Sequence, residues 1–536
     1  MVPKFSHSLD HVLIRHGLIH AWGWVIAPDI IPDRAELQAL DDVGNALDVL
    51  ECRLWQERPD LARYFPGVPH ARHAGFMVFG AVPGPGRTSQ GQLAFFKRDQ
   101  IVFCIPISFH SDRRPKDLLW LRSLKRKWGQ LSAEWQRGGW QGVVRKVRAT
   151  RNRMLCESDI ETCVTAINAR VVHVDFSWIV DHDMGGGANL YRDGQMHSLV
   201  ARDSTPILLG FNVATLRYFV ALPTIIGQPR WQLDGLVDIE RLLEAFPPVA
   251  LIYNCAVSFP EPLRILDHML QAKRRHGARF TVLVHDYFIV CPSHTLLDSN
   301  RTFCAVPNRT VCNKCLTRHT DGFVSIARNR DISQWRLAWK DALSLAYEVR
   351  FFSEASRRLV RKAYPDVETN IWRVVPHMLH TPVERPRLQR GECLHLGFVG
   401  NIAYHKGAEW VSALAHVRAE TSADVRLSVV GSLEGLHPLG VTVTGPYETA
   451  KLPFVLESLG INVVFFSSIC PETFSYVAHE LVEMNVPTAC FSLGAPGDLI
   501  GAYPRGCVIS HTLPREVLEQ LIQFWNRVYP MPGEEA

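Results

Sequence analysis

From about residue 166 to the end of the chain, short apolar runs alternate with stretches of helical period, and this alternation constrains the fold more than any other feature. The runs include ARVVHVDFSWIVD, TPILLGF, RYFVAL, VALIYN, RFTVLV, VRFFS, VRLSVVGS, INVVFF and VPTACF. Each is short and almost continuously apolar, as a strand buried on both faces must be. Between several of them lie patterns such as DIERLLEAF and PEPLRILDHMLQAKRRH, which predict crossover helices and therefore doubly wound parallel sheets. At 536 residues the chain is too long for one core. The stretch TPVERPRLQRGE, with two prolines and mixed charge, reads as a linker between two α/β domains, at 161–380 and 393–536.

Residues 1–110 follow a different pattern. HGLIHAWGWVI, ALDVLECRLW, AGFMVFG and GQLAFFKRDQIVFCIPIS are alternating runs broken by turn signals, which predicts a small all-β sandwich. Trp22 and Trp24 serve either its core or, if exposed, recognition of a glycan or acceptor. The segment 111–160 reads as a basic, Trp-rich helical linker. Between Arg113 and Arg153, thirteen Lys and Arg stand against Asp117 and Glu134, a local charge of +11 in a chain of net charge +5. Trp120, Trp128, Trp135 and Trp140 are interleaved with these cations, a combination suited to lying on an anionic membrane surface. No nucleic-acid-binding motif accompanies the charge, and a solvated linker is the plainer alternative.

The chain has no apolar run near the roughly 20 residues of a membrane span, and its first residues lack a signal-peptide core. Its thirteen cysteines are scattered through expected core strands, as in a reducing compartment. The expected location is cytoplasmic, peripheral at the inner face of the membrane if the basic segment binds lipid.

Five local patterns carry chemistry. In CPETFSYVAHELVEMNVPTACF a helix is expected from Pro471 onward, with Glu472 at its mouth and Glu480 two turns further along the same side. Two carboxylates facing one cleft are suitable acceptors for vicinal hydroxyls, although a Glu-x7-Glu pair is also common on solvated helices. The second pattern is HDMGGGANL after a strand run, where Gly186 and Gly187 let the backbone approach a ligand, or simply form a turn. The dinucleotide fingerprint G-x-G-x-x-G is absent. Third, His285 in HDYFIVCP follows a strand run. Fourth, Cys291, Cys304, Cys312 and Cys315 fall within an expected insertion at 287–320, spaced C-x12-C-x7-C-x2-C. They are either a structural zinc site that staples a core-poor loop or free buried thiols. Fifth, GFVGNIAYHKG places Lys406 just ahead of an expected helix, where amide N–H groups and an ammonium together suit a diphosphate.

Taken together, the Glu472 and Lys406 segments resemble the donor-binding half of retaining, family 4 type glycosyltransferases of the GT-B fold, and the likeness extends over roughly residues 166 to 525. The resemblance implies two Rossmann-like domains and transfer of a sugar from a nucleotide-sugar donor to a glycan or lipid-linked acceptor in surface polysaccharide biosynthesis. It assigns Glu472 and His285 to the donor sugar, Glu480 to the ribose hydroxyls and Lys406 to the donor phosphates. Phe474 and Ser475 lie in the same donor segment, and Gly186, Gly187 and Asn189 match the family's glycine loop. Asn401 departs from it, standing where the family commonly has Arg and supplying no cation. GWVIAPD and Arg58-Pro59-Asp60 are similar to an accessory β module that precedes some bacterial members. No cofactor is required for chemistry in such enzymes. The alternatives are a non-catalytic glycan-binding or scaffold protein with a degenerate site, and a Rossmann oxidoreductase.

If the basic segment binds lipid, the full chain co-sediments with anionic vesicles at low salt and is released at high salt. Absence from the pellet at both ionic strengths would exclude a membrane role for it.

Overall fold

The structure, a computed structural model, describes residues 5–27, 30–83, 90–109, 160–171, 173–225, 228–379, 384–510 and 512–530. The basic segment 113–153 lies outside them. The chain divides into two compact units. One comprises Met1–Leu283, His319–Arg330 and Asp341–Tyr347, the other Val284–Arg318, Asp331–Lys340 and Glu348–Ala536. Among the described residues no helix is long and apolar enough to cross a membrane.

The first unit opens with β1 (Ser6–Arg15), β2 (Leu18–Ile26), β3 (Arg34–Leu40), β4 (Ala46–Gln56), β5 (Gly75–Ala81), β6 (Gln90–Lys97) and β7 (Gln100–Ser108). They form one antiparallel sheet in the order β1-β2-β5-β4-β3-β6-β7. Alternate residues from both ends of that order, among them Ile19, Leu37, Val78, Leu93 and Ile105, belong to a single core. The strands thus curl around a shared interior, where the Phe76 and Phe95 rings meet at 5.4 Å. Neither tryptophan is an open platform. Trp22 stacks on His11 at 3.9 Å, and Trp24 lies 5.6 Å from Phe65.

The same unit continues with β8 (Asp175–Val180), β9 (Ser204–Asn212), β10 (Arg217–Ala221), β11 (Arg230–Leu233), β12 (Pro248–Tyr253) and β13 (Arg279–Val284). Their order is β11-β10-β9-β8-β12-β13. β9, β8, β12 and β13 are parallel, as expected from the intervening helices. β10 and β11, however, extend the edge as an antiparallel meander, a departure from the all-parallel expectation. Only residues 213–216 separate β9 from β10, too few for a crossover, so the chain can only reverse.

The second unit contains the parallel pair β14 (Glu348–Phe351) and β15 (Trp372–Val374). After it come β16 (Leu394–Ile402), β17 (Val425–Leu433), β18 (Val441–Val443), β19 (Val463–Phe466), β20 (Thr488–Phe491) and β21 (Gly506–Ile509). These six parallel strands are ordered β18-β17-β16-β19-β20-β21. Counted from β16, that is the doubly wound order 3-2-1-4-5-6, whose direction of winding reverses between β16 and β19. Both faces are covered. Leu394, Leu396 and Phe398 pack with helices Ala408–Thr421 and Pro514–Val528 on one side. Val399, Val430 and Val464 pack with Leu452, Leu456 and Leu481 on the other.

β16 and β17 run in register from Leu394 opposite Val425 to Ile402 opposite Leu433, with Gly400 opposite Gly431. A Cβ on Gly431, whose φ is +134°, would collide with the Gly400 carbonyl, whereas Gly435 has φ +96° and open space around it. Gly435→Ala should therefore cost only the left-handed backbone penalty, about 1–2 kcal/mol. Gly431→Ala should cost clearly more, about 3 kcal/mol or above, because two strands must also separate. Thermal unfolding of the two variants checks this, and equal shifts would contradict it.

Candidate functional site

Lys406 and Glu472 stand at the carboxyl ends of the two strands that flank the winding reversal. β16 ends at Ile402 and leads into a single 3-10 turn, Tyr404–Lys406, ahead of helix Ala408–Thr421. Between turn and helix, Gly407 has φ +87°, and any Cβ there would strike the Ser467 carbonyl. The loop after β19 is therefore pressed directly against the loop after β16. Three further contacts lock them together. The Ser467 hydroxyl donates to the Lys406 carbonyl at 2.9 Å, the Ile469 N–H donates to the His405 carbonyl at 3.1 Å, and the Ser468 hydroxyl oxygen lies 3.3 Å from that same carbonyl.

Ser468 gives its one hydroxyl proton to Glu472 Oε1 at 2.8 Å, and the Lys406 ammonium lies 3.8 Å from the same oxygen. The Glu472 carbonyl accepts from the Ala495 N–H at 2.9 Å, an approach that needs glycine at 494, where φ is +58°. Glu472 is not on a helix, contrary to expectation. The helix begins at Tyr476, with Ser475 as its cap accepting from the Ala478 N–H, and residues 471–474 form a loop. Periodicity suggested a start at Pro471, but Glu472's backbone is engaged by residue 495 and cannot enter a helical ladder. The two-turn relation between Glu472 and Glu480 therefore does not hold. Gly494 and Gly497 belong to the helix Gly494–Gly501.

Glu480 is buried inside its helix, and burial, reinforced by Glu483, raises its pKa above the usual carboxylate range. Tyr447 stands close enough for Glu480 to add to the rise in its own pKa, which burial chiefly causes. His285 joins the same region of the second unit: its carbonyl accepts from the Thr473 hydroxyl at 2.6 Å. Its ring stacks on Phe352 at 4.5 Å and lies 5.4 Å from His377. His377 in turn contacts Phe474 at 4.7 Å and Tyr476 at 5.2 Å, and Phe474 stacks on His479 at 4.1 Å. Lys406, Glu472, Phe474, Ser475, Glu480 and His285 are thus gathered in one compact unit. Asn401 is exposed near the end of β16. Ser353, the last residue of the run VRFFS, caps helix Glu354–Ala363 by accepting from the Ser356 N–H.

Ser467, Ser468, Thr473 and His377 were missed by sequence reasoning. Two serines immediately after β19 were a visible signal, because short hydroxyl side chains at a strand end commonly bond nearby backbone. A cavity of about 680 Å³ adjoins this region. It is lined by Gly407, Tyr404, Trp410 and Arg301 among others, but not by Lys406, Glu472 or Glu480.

In the first unit, the glycine loop is held from within. Gly185 and Gly186 have φ +86° and +91°, and helix Gly187–Val200 follows. Asn189 accepts from the Gly185 N–H at 2.6 Å and donates to Asp181 Oδ2 at 2.7 Å, so its amide is committed to the loop. Asp181, His182 and Cys255 are buried and present ligand atoms within 4.8 Å of one another, the one such set among the described residues. Asp181 Oδ2 also takes the Arg192 guanidinium at 3.0 Å, and Oδ1 takes the His182 N–H at 2.9 Å. With its charge met by Arg192, this carboxylate serves to anchor the glycine loop.

Glu480 gives the site a pH signature. Because its folded pKa is raised, the ionised form destabilises the fold, so Glu480 favours folding only while protonated, and that contribution is lost as pH rises through the raised value. Glu480→Gln should therefore raise the unfolding midpoint of the ligand-free protein at neutral pH. The gain should vanish on acidification below the usual carboxylate range. A loss of stability that is the same at every pH would contradict this.

No protein-family model and no curated protein matches the chain. Solved structures do resemble it. One is HepE of Anabaena in complex with UDP-glucose, at TM-score 0.40 and 14% identity, covering 66% of this chain and 90% of that one. Another is the lipopolysaccharide outer core galactosyltransferase WaaB, at TM-score 0.43 and 11% identity, covering 66% and 91%. A glycosyltransferase from Rickettsia africae gives TM-score 0.41 and 10% identity, covering 66% and 89%. With likeness this distant, the functional reading rests on the geometry of the chain itself.

Proposed function

We propose that the chain is a glycosyltransferase of the GT-B type, moving a sugar with retention from a nucleotide-sugar donor to a glycan or lipid-linked acceptor of a surface polysaccharide. One observation carries the reading: an ammonium and a carboxylate, 3.8 Å apart, on the two loops that flank the winding reversal of a 3-2-1-4-5-6 sheet. Crevices at that point are where open α/β sheets take phosphate-bearing ligands. Lys406, about one-third exposed, supplies the positive charge for a leaving diphosphate. Glu472, held by Ser468, turns a fixed acceptor toward sugar hydroxyls. Glu480, ionised once hydroxyl donors reach it, accepts from the ribose. His285 and the stacked rings around His377 give the sugar an aromatic and imidazole wall. The sequence resemblance supports the same assignments, and the charge of residues 113–153 suits an enzyme working at the cytoplasmic membrane face.

Asn401 favours a second reading. Lacking the cation that the related enzymes commonly place there, the chain is instead a glycan-binding or scaffold protein with a degenerate site.

A panel of UDP-, GDP- and dTDP-sugars separates the two. The enzyme releases a nucleoside diphosphate from at least one donor. Lys406→Ala lowers that turnover about a hundredfold, and Glu480→Ala weakens nucleotide binding about tenfold or more. Nucleotide affinity also falls as pH drops through the raised Glu480 value. Absence of release and of any thermal shift across the panel would favour the scaffold, and wild-type activity in both variants would remove the site assignment.

A further inference from the structure

We infer that Cys291, Cys304, Cys312 and Cys315 form a tetrathiolate site for a structural zinc ion. Two observations independent of the cysteine spacing point to it.

The first is the way backbone amides are turned toward sulfur. The Ser293 N–H donates to the Cys291 thiol and the Val306 N–H to that of Cys304, each from two residues downstream of its own cysteine. Around Cys304 this requires Ala305 and Val306 both in the left-handed region, at φ 52° and 54°. For Val, a β-branched residue, that conformation is costly and needs a reason. The Ser299 N–H donates to Cys315 Sγ at 3.3 Å. Three of the four sulfurs thus receive an amide, an arrangement that favours thiolate over thiol. Cys312 and Cys315, three apart in helix Arg309–Arg318, share one helical face.

The second observation is Arg336. Its guanidinium is buried, and its partners are the Val290 carbonyl at 3.3 Å and Cys312 Sγ at 3.6 Å, with no carboxylate bridging to it among the described residues. A buried cation needs a counter-charge. Neutral thiols supply none. Four thiolates around Zn²⁺ carry a net charge of −2, which gives Arg336 its partner.

Among the described residues no three of these sulfurs stand within 4.8 Å of one another. Zinc, with bonds of about 2.3 Å to sulfur, therefore draws the loop inward as it binds. Binding releases one proton per thiol and leaves no open coordination position, so the ion's role is to brace the loop. What it braces is specific. The Leu297↔Phe303 bridge lies between the first two cysteines and carries Arg301, which sits 4.5 Å over the Tyr404 ring next to the Lys406 turn.

The test is metal analysis of the full chain purified without chelator, combined with thiol titration under native conditions. About one zinc per chain is expected, with four thiols unreactive until a chelator is added. Cobalt replacing the zinc should show the sulfur-to-cobalt charge-transfer absorption of a tetrahedral thiolate site. Cys315→Ser should lose the metal while Cys163→Ser, elsewhere in the chain, keeps it. If Cys315→Ser does not fold, the wild-type metal content still decides. Less than about a tenth of an equivalent of zinc with all four thiols promptly reactive, or two disulfides among them, would overturn the inference. None of these readouts depends on sugar transfer.

Discussion

The candidate site depends on the clasp between the loops after β16 and β19. The Ser467 hydroxyl donates to the Lys406 carbonyl and the Ile469 N–H to the His405 carbonyl, and Gly407 leaves room for the Ser467 carbonyl to touch the backbone. The clasp sets the distance between cation and carboxylate. The ion pair itself does not, since a pair with one partner about one-third exposed contributes at most about 1 kcal/mol. Each loop-to-loop hydrogen bond contributes about 1 kcal/mol in addition to the steric constraint at Gly407. Lys406 is therefore held near Glu472 by its backbone, and its ammonium can turn to an incoming diphosphate without dismantling the site.

Around this clasp the remaining groups differ in how freely they can respond. Ser475 and Gly494 stand where helices begin, which leaves residues 471–474 as a loop that presents Glu472. Glu480 lies on the first turns of the helix that follows, buried at some cost to its ionised form. A polar ligand that brings hydroxyl donors to it would recover part of that cost.

Much of this was legible in the sequence because it follows from periodicity. The runs INVVFF and VPTACF are β19 and β20, and the alternation around them predicts a parallel sheet with helices on both faces. The start of the helix at 476 was not legible. Pro471 is acceptable in a first helical turn, and only the distant Ala495 N–H, bonding the Glu472 carbonyl, excludes it. The antiparallel edge β9-β10-β11 was missed for a related reason: apolar strands read alike in both directions, and only the four-residue connection at 213–216 shows the reversal. Asn189 looked like a ligand contact because nothing local reveals that its amide closes on Asp181. Contacts that span long stretches of chain have no period and leave no mark on a single sequence.

The most direct measurement is a crystal structure of the full chain with a bound nucleoside diphosphate. The account predicts the diphosphate against Lys406 and the amide groups that follow it, with the ribose hydroxyls on Glu480 and Glu472 still bonded to Ser468. A nucleotide bound with its phosphates remote from Lys406, for instance in the cavity lined by Arg301 and Trp410, would contradict it.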